Sequence, residues 1–268
     1  MNQKILEKFL CDLPLGGIKY YESTDSTNDQ ALELFQEGSP DPFLVIANEQ
    51  TKGRGRAGKT WFTPPDSALA FSLIIAPNKP TKQNHISRLT GLGAVAVCEG
   101  LNELFNLHGK IKWPNDVLLD GKKVCGVLTE GHWLGEEIQT VILGIGINVA
   151  PESIPDEDNV DYPATCIEYH LEKSVDRLQL LKEVLRQVFR WKDHLWRHEF
   201  ISTWQKHLAF LGERVVISYE ETNNRNVTLQ NGEIMGLDGD GRLILQNQHG
   251  KEFLSLAGEI HLRPLIDK

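Results

Sequence analysis

Cysteine is scarce in this chain, with four residues among 268 and no Cys-x-x-Cys pair. The wide spacing of Cys11, Cys98, Cys125 and Cys166 argues against a metal cage and predicts reduced thiols, most of them buried. The nine histidines show no metal-ligand spacing either. No apolar run reaches the roughly 18 residues of a membrane span, and the N-terminus lacks the apolar core of a signal peptide. We therefore expect a cytoplasmic protein with no membrane partner and no resident metal.

Positive charge is also in deficit, because 28 Lys and Arg oppose 37 Asp and Glu and leave a net charge of -9. This balance argues against general binding of nucleic acid or of anionic membranes. It still allows a local basic site, and Arg54, Arg56 and Lys59 form one.

The remaining composition, 40% hydrophobic and 24% charged over 268 residues, suits one large domain and a small one. In the first part we expect strands near residues 20–22, 43–47, 68–75, 117–119, 124–128 and 138–149. Helices are expected within residues 1–17, 25–38, 85–107, 174–198 and 200–208.

Several local signals refine this pattern. Thr27 and Gln30 have capping-box spacing at a helix start, Gly109 suits the end of the long helix, and Asp120-Gly121 predicts a hairpin turn. Residues 151–163 carry three prolines and five acids and are expected to form an exposed loop.

The pattern changes near Leu211. From residue 212 to 264 helical signals vanish, and five or so short strand candidates remain, several of them separated by Asn231-Gly232, Asp238-Gly239 and His249-Gly250. We expect a first domain at residues 1–211 and a small β-barrel at residues 212–268.

The most distinctive segment, residues 53–61, reads Gly-Arg-Gly-Arg-Ala-Gly-Lys-Thr-Trp. Its letters satisfy the P-loop pattern Gly-x-x-x-x-Gly-Lys-Thr. A P-loop, however, joins a buried strand directly to a helix whose N-terminus cradles phosphates. Here five polar residues, 48–52, follow the expected strand, and Pro64-Pro65 oppose a helix after Thr60. The context therefore argues against a P-loop.

Three further motifs accompany this loop. Asp25-Ser26-Thr27-Asn28 opens a helix, Lys112-Trp113-Pro114-Asn115-Asp116 precedes the hairpin, and Gly144-Ile145-Gly146-Ile147-Asn148 closes a strand. With Gln50 and Gly126, and in this order, they resemble the biotin protein ligases, also called biotin–[acetyl-CoA-carboxylase] ligases. The resemblance covers about residues 18–263.

The resemblance implies an α+β catalytic domain with a mixed β-sheet and helices, followed by an SH3-like barrel. It implies that biotin and ATP, with Mg²⁺, form biotinyl-5′-AMP and pyrophosphate. The biotinyl group then passes to a lysine of a biotin carboxyl carrier protein, or of such a domain in a biotin-dependent carboxylase. Monomer and homodimer both remain open.

The resemblance also assigns residues. Contacts to biotin and biotinyl-adenylate fall on Ser26, Thr27, Asn28, Gln50, Arg54, Gly55, Arg56 and Lys112. Catalytic roles fall on Arg56, Lys112 and Asp116. Positions near the nucleotide are Trp61, Asn115, Gly126, Gly144, Gly146 and Asn148.

The chemistry explains why cations are needed. A carboxylate is already ionised at pH 7, so the obstacle is bringing one anion to a polyanion, and Arg54, Arg56 and Lys112 supply the neutralising charge. A loop rich in glycine can close over the ligand. Simpler interpretations stay open: Ser26–Asn28 can act only as a helix cap, Asp116 as a turn residue, and residues 144–148 as a tight strand end.

The chain departs from the family pattern at one position, since Lys59 stands where the family more often has Arg and lacks the bidentate fork. Repressor members carry a DNA-binding module of about 60 residues, whereas only about 20 precede the first catalytic strand here. We therefore expect a ligase that does not bind DNA. The rival interpretations are a ligase for lipoate or a fatty acid, and a non-enzymatic RNA-binding protein built on the Gly/Arg loop and barrel.

Overall fold

The computed structural model describes residues 1–76, 85–156, 162–220, 227–254 and 260–264. The helices are α1 Gln3–Phe9, α2 Thr27–Gln36, α3 Ile86–Phe105, α4 Ile167–Leu171, α5 Arg177–His194 and α6 His198–His207. The strands are β1 Gly17–Thr24, β2 Phe43–Gln50, β3 Ala68–Ile75, β4 Lys110–Lys112, β5 Asp116–Leu119, β6 Lys122–Leu134, β7 Glu137–Asn148, β8 Arg214–Glu220, β9 Val227–Leu237, β10 Leu243–Gln246, β11 Glu252–Leu254 and β12 Ile260–Pro264.

These strands form two sheets. The first has seven strands in the order β1-β2-β3-β7-β6-β5-β4, and only its β1–β2 pair is parallel. The second is antiparallel, with five strands in the order β11-β10-β9-β8-β12. The expected α+β class with a mixed sheet is confirmed, and the second sheet is compatible with an SH3-like domain.

The interior strand β3 is buried along its whole length, so both faces of the first sheet are covered there. Because side chains alternate between faces, Phe71 and Leu73 join the main core, whereas Ile74 packs with Ala31 of α2. The main core also receives α3, α5 and α6. Helix α2 packs on the other face, where it leaves room for a cavity.

Helix α3 approaches the sheet closely because it carries glycine where it meets other elements. A Cβ on Gly93 would lie 2.9 Å from Val127 of β6, and a Cβ on Gly91 would overlap Trp204 of α6. These glycines let α3 pack closely against β6 and α6.

The two sheets are joined by hydrogen bonds that are buried or partly buried. Trp113 Nε1 donates to the carbonyl of Gly241 at 2.9 Å, and Arg88 of α3 donates to the carbonyl of Gly239. Both acceptors lie in the turn between β9 and β10. The second sheet therefore contacts the segment that carries the Lys112–Asp116 motif.

The hairpin prediction is confirmed, because Asp120 and Gly121 join β5 to β6 with φ of 47° and 73°. The turns at residues 238–239 and 247–250 are confirmed as well. Asn231-Gly232 instead lies inside β9, so that predicted turn is wrong.

The caps differ from the prediction. Ser26 is the N-cap of α2 and makes no side-chain capping bond, so the expected capping box is wrong. Helix α3 ends at Asn106, in the left-handed region at φ 54°, rather than at Gly109. The short helix α4 was not predicted.

Three of the four cysteines are buried and none is in a disulfide. Burial raises the pKa of the Cys98, Cys125 and Cys166 thiols. Within the described ranges, no helix has the length and apolarity that would let it cross a membrane.

Candidate functional site

A cavity of about 850 Å³ lies on the α2 face of the first sheet. Strands β3, β6 and β7 contribute its floor, and residues 54–62 and 152–156 contribute walls. Every residue predicted for the site lines it: Ser26, Thr27, Asn28, Gln50, Arg54, Gly55, Arg56, Trp61, Lys112, Asn115, Asp116, Gly126, Gly144, Gly146 and Asn148. The fold therefore brings motifs that are far apart in sequence to one place.

The N-terminus of α2 forms a buried polar platform. Thr27 is 4% exposed, and its backbone N–H donates to Gln50 Oε1 at 2.8 Å. The Gln50 amide in turn donates to Thr63 Oγ1 at 3.1 Å. Gln50 is thus held in one orientation, which fixes where its donors and acceptors face the cavity.

Two residues that the sequence did not single out complete this platform. Ser72 Oγ lies 2.6 Å from Asn28 Oδ1 and 2.8 Å from Thr27 Oγ1, and Asn28 Nδ2 donates to Glu130 Oε2 at 2.6 Å. Ser72 is a polar residue in the otherwise apolar strand β3, and this interruption was the available signal.

The glycines of β6 and β7 make room for side chains. A Cβ on Gly144 would overlap the Asn28 amide, and a Cβ on Gly146 would overlap the Trp61 indole. Gly126, which pairs with Gly146 across the strands, would place a Cβ 3.0 Å from the same indole. In the structure the groups that lie against these glycines are Asn28 and Trp61, and the expected approach of a nucleotide stays a prediction.

The loop of residues 53–61 is folded back on itself. Trp61 N–H donates to the Gly53 carbonyl at 2.8 Å and Gly55 N–H to the Lys59 carbonyl at 2.7 Å. The loop contains a single 3₁₀ turn, Arg56–Gly58, and within the described residues no helix follows Thr60 before β3. Strand β2 is longer than predicted and ends at Gln50, so the missing helix, not the spacing before the loop, argues against a P-loop.

The two loop arginines have different surroundings. Arg54 Nη2 lies 2.6 Å from Asp29 and 2.9 Å from Glu130, and these carboxylates offset its charge. Arg56 Nη1 donates to Asn115 Oδ1 at 3.3 Å. The loop is therefore bonded both to α2 and to the Lys112–Asp116 motif.

Lys112 and Asp116 face each other across the turn that joins β4 to β5. Asp116 lies 3.9 Å from Lys112 Nζ and 2.6 Å from Lys123 Nζ, while Lys112 Nζ is 4.2 Å from the centre of the Tyr162 ring. Asp116 thus forms ion pairs with two lysines in addition to starting β5. Lys123 and Tyr162 were missed, since neither belongs to a recognisable motif.

The segment expected to be an exposed loop, residues 151–163, instead contributes to the site. Ser153 is fully buried, and Glu152, Ile154 and Tyr162 line the cavity; residues 157–161 lie outside the described part. Asn148 donates to the Thr165 carbonyl at 3.1 Å, so it also anchors the chain that follows this segment.

Comparisons with known proteins agree with this geometry. Residues 20–148 match the Biotin/lipoate A/B protein ligase family. The chain is 33% identical over 240 residues to the bifunctional ligase/repressor BirA of Bacillus subtilis, covering 86% of this chain and 70% of that protein. It is 31% identical over 242 residues to the biotin–[acetyl-CoA-carboxylase] ligase of Paracoccus denitrificans, covering 87% of this chain and 96% of that one.

A solved structure shows the same fold. The biotin protein ligase of Aquifex aeolicus in complex with biotin and ATP aligns with a TM-score of 0.77 at 28% identity, over 93% of this chain and 99% of that one. Fold, site and relatives together define an enzyme of the ligase class. The chain belongs to the biotin/lipoate A/B protein ligase family.

Proposed function

We propose that this protein is an ATP-dependent biotin protein ligase. It condenses biotin with MgATP to biotinyl-5′-AMP and pyrophosphate, then transfers the biotinyl group to a lysine of a biotin carboxyl carrier protein or domain. Residues 1–211 form the catalytic domain in this proposal, and residues 212–268 form the SH3-like domain.

One observation carries the proposal: uncharged polar side chains and a group of cations line the same cavity. Ser26, Thr27 and Gln50 offer fixed donors and acceptors of the kind that a neutral ureido ring needs, and Arg56 and Lys112 offer positive charge for a carboxylate and phosphates. A substrate with an uncharged polar head and an anionic tail suits such a cavity. The names of the relatives support biotin as that substrate.

In the first step a biotin carboxylate oxygen attacks the α-phosphorus of ATP, and the bond to the β,γ-pyrophosphoryl group breaks. Arg56 and Lys112 neutralise the charge that gathers around the α-phosphate and hold the reactants in line. Two unit charges 4 Å apart attract by about 4 kcal/mol at an effective dielectric near 20, against about 1 kcal/mol in water. Excluding water beneath the loop therefore strengthens the attraction of both cations for the carboxylate and the phosphates.

In the second step the neutral amine of the carrier lysine attacks the acyl carbon of biotinyl-AMP. An amide forms, AMP leaves with the electrons of the acyl–phosphate bond, and the amine loses one proton. Asp116, held between Lys112 and Lys123, is the carboxylate that we assign to orient Lys112 during both steps.

The test mixes the full chain with MgATP, labelled biotin and a carboxyl carrier domain, and follows label on the carrier. Parallel reactions replace biotin with lipoate or octanoate. We expect transfer of biotin only. Transfer of lipoate without transfer of biotin would show that lipoate, not biotin, is the substrate. Binding of RNA without transfer of either acid would reject the proposed ligase activity.

The roles of residues are tested with Lys112→Ala and Arg56→Ala, measuring biotin-dependent release of pyrophosphate from ATP. Both should lose at least about 100-fold in rate, since removing one charge-stabilising donor costs that much. Lys122→Ala is the matched control, because Lys122 is exposed on the neighbouring hairpin. A wild-type rate in Lys112→Ala would show that Lys112 has no role in the first step.

A further inference from the structure

Helix α4 carries a histidine that joins two segments of the chain, each of which also borders the large cavity. The His170 side chain is 14% exposed; its Nδ1 lies 3.2 Å from Asp120 Oδ2 and its Nε2 lies 3.0 Å from Thr165 Oγ1. Asp120 lies at the tip of the β5–β6 hairpin. Thr165 directly follows Ala164, which lines the cavity. We term Asp120, His170 and Thr165 the histidine clip.

We propose that His170 and Asp120 are positioning residues for the first step of the reaction. By holding the segment that ends at Thr165, they keep Lys123 in place and so leave the charge of Lys112 directed at the substrates. Neither His170 nor Asp120 is among the described residues that line the cavity, so each acts through others. The inference rests on the proposed ligase function and names residues that set its rate from outside the cavity.

The main chain transmits the position of the clip to Lys123. The Lys123 N–H donates to the Pro163 carbonyl at 2.7 Å, and the Lys123 carbonyl accepts from the Thr165 N–H at 2.9 Å. The Thr165 carbonyl also accepts from Asn148 Nδ2 at 3.1 Å. Because both peptide groups of Lys123 are bonded to this segment, a shift of Thr165 moves Lys123.

Helix α4 depends on its contacts for its position. It has five residues, and so short a helix is not stable through its own hydrogen bonds. The Glu168 N–H donates to the Val149 carbonyl at the end of β7, and Glu168 Oε1 accepts from the Val175 N–H, both at 3.0 Å. His170 adds the attachment to the hairpin, so its loss frees the helix from that side.

The last step of the argument concerns the charges in the cavity. Asp116 lies 2.6 Å from Lys123 Nζ but 3.9 Å from Lys112 Nζ, so Lys123 is its nearer partner. All three side chains are largely buried, where unit charges interact more strongly than in water. If Lys123 withdraws, Asp116 attracts Lys112 more strongly, and less of the Lys112 charge remains for the carboxylate and the α-phosphate.

Three variants disturb the clip in different ways. His170→Ala removes both contacts, and His170→Gln keeps a side chain that can form a hydrogen bond. Asp120→Gly removes only the carboxylate, and glycine suits the left-handed conformation, with φ of 47°, at that turn position. His108→Ala, at an exposed histidine, is the matched control. Thermal unfolding checks that the variants are folded.

The test compares binding of biotin, an anion, with binding of its neutral amide, biotinamide, by isothermal titration. His170→Ala should weaken biotin but leave biotinamide as in wild type, because the uncharged polar side chains at α2 are untouched. Biotin-dependent release of pyrophosphate from ATP should slow by about tenfold, less than the roughly 100-fold of removing a charge-stabilising donor, since the cation is displaced and not removed.

The other variants should follow a fixed order. Asp120→Gly should lose less than His170→Ala, because Asp120 is exposed and water screens its charge. His170→Gln should retain more of the rate than His170→Ala, and His108→Ala should match wild type. In a Lys123→Ala background the effect of His170→Ala should shrink, as expected if both act through Lys123.

Hydrogen exchange of the Lys123 and Thr165 amides gives a readout that does not depend on activity, and it should quicken in His170→Ala. Equal losses of biotin and biotinamide affinity would show general loosening and reject the inference, as would wild-type exchange and biotin affinity in His170→Ala. If wild type releases no pyrophosphate with biotin, the ligase function fails. Faster exchange and weaker biotin binding in His170→Ala would then still support the clip.

Discussion

The indole of Trp61 occupies the space that a side chain at Gly146 would need. A Cβ at residue 146 would overlap the indole nitrogen, and Gly126 on the paired strand bounds the same space. Trp61 Nε1 is buried there with no hydrogen-bond partner among the described residues. The position of the loop therefore depends on the absence of side chains at Gly126 and Gly146 in the sheet beneath it.

Gly146→Ala tests this coupling. The added methyl group should displace Trp61, lower the free energy of unfolding by roughly 1–3 kcal/mol, as overpacking does, and weaken biotin binding. Chemical denaturation and titration with biotin measure the two effects. Gly239→Ala is the control, because a Cβ there meets nothing within 4 Å.

The double variant Trp61→Ala/Gly146→Ala separates the causes. If the clash with Trp61 is responsible, Gly146→Ala should cost less stability in the Trp61→Ala background than alone, which a double-mutant cycle detects. An equal cost in both backgrounds would show that the methyl group disturbs something other than Trp61.

These glycines also show how far the sequence alone could lead. The resemblance implies that a nucleotide approaches Gly144 and Gly146, which stays a prediction; in the structure another group of this chain lies against each glycine. The identity of that group depends on which distant segments the sheet brings together, so Asn28 and Trp61 could not be named from local pattern. Ser72 and Glu130 were missed for the same reason, since each gains its role only through contacts with α2.

Local signals worked best where backbone geometry demands a residue type. The hairpin could be predicted because its turn needs left-handed conformations at residues 120 and 121, which Asp and Gly adopt readily. Local signals failed where several residue types can adopt the required backbone conformation. Asn106 adopts the left-handed conformation as glycine does, so α3 is capped there, three residues before the glycine that was expected to end it. Asn231-Gly232 fits a continuous strand as well as a turn.

The link between the two sheets is tested with Trp113→Phe. Phenylalanine keeps an aromatic ring but leaves the buried carbonyl of Gly241 without its donor, which is 2.9 Å away in the structure. We expect the free energy of unfolding to fall by about 1–3 kcal/mol, measured by chemical denaturation. Trp133→Phe is the control, because Trp133 is 44% exposed, and an equal loss in both variants would reject the role of this bond.

A pH effect follows from Glu99 and His207. The hydrogen bond from His207 Nε2, at 2.8 Å, holds the pKa of Glu99 below its usual range, although burial acts in the opposite direction. A carboxyl with a lower pKa in the folded state stabilises the fold above its unfolded pKa, about 4.3, and this contribution disappears as pH falls through the folded value.

We therefore expect Glu99→Gln to be less stable than wild type at pH 7, with the difference shrinking below about pH 4. Urea denaturation at both pH values measures it. Glu103→Gln, at an exposed glutamate of the same helix, is the control. A difference between Glu99→Gln and wild type that stays constant with pH would mean that packing, not charge, is responsible.

Ser72→Ala tests whether the buried platform under α2 sets ligand affinity. Ser72 is fully buried, and its hydroxyl lies 2.6 Å from Asn28 Oδ1 and 2.8 Å from Thr27 Oγ1. Its loss should lower the free energy of unfolding by about 1–3 kcal/mol and also weaken biotin binding, because Asn28 loses the partner that orients it. Ser67→Ala is the matched control: Ser67 is 3% exposed and donates only to the Pro64 carbonyl, at 3.0 Å. It should lose comparable stability but no biotin affinity, so an equal loss of affinity in both variants would show that general loosening, and not the orientation of Asn28, controls binding.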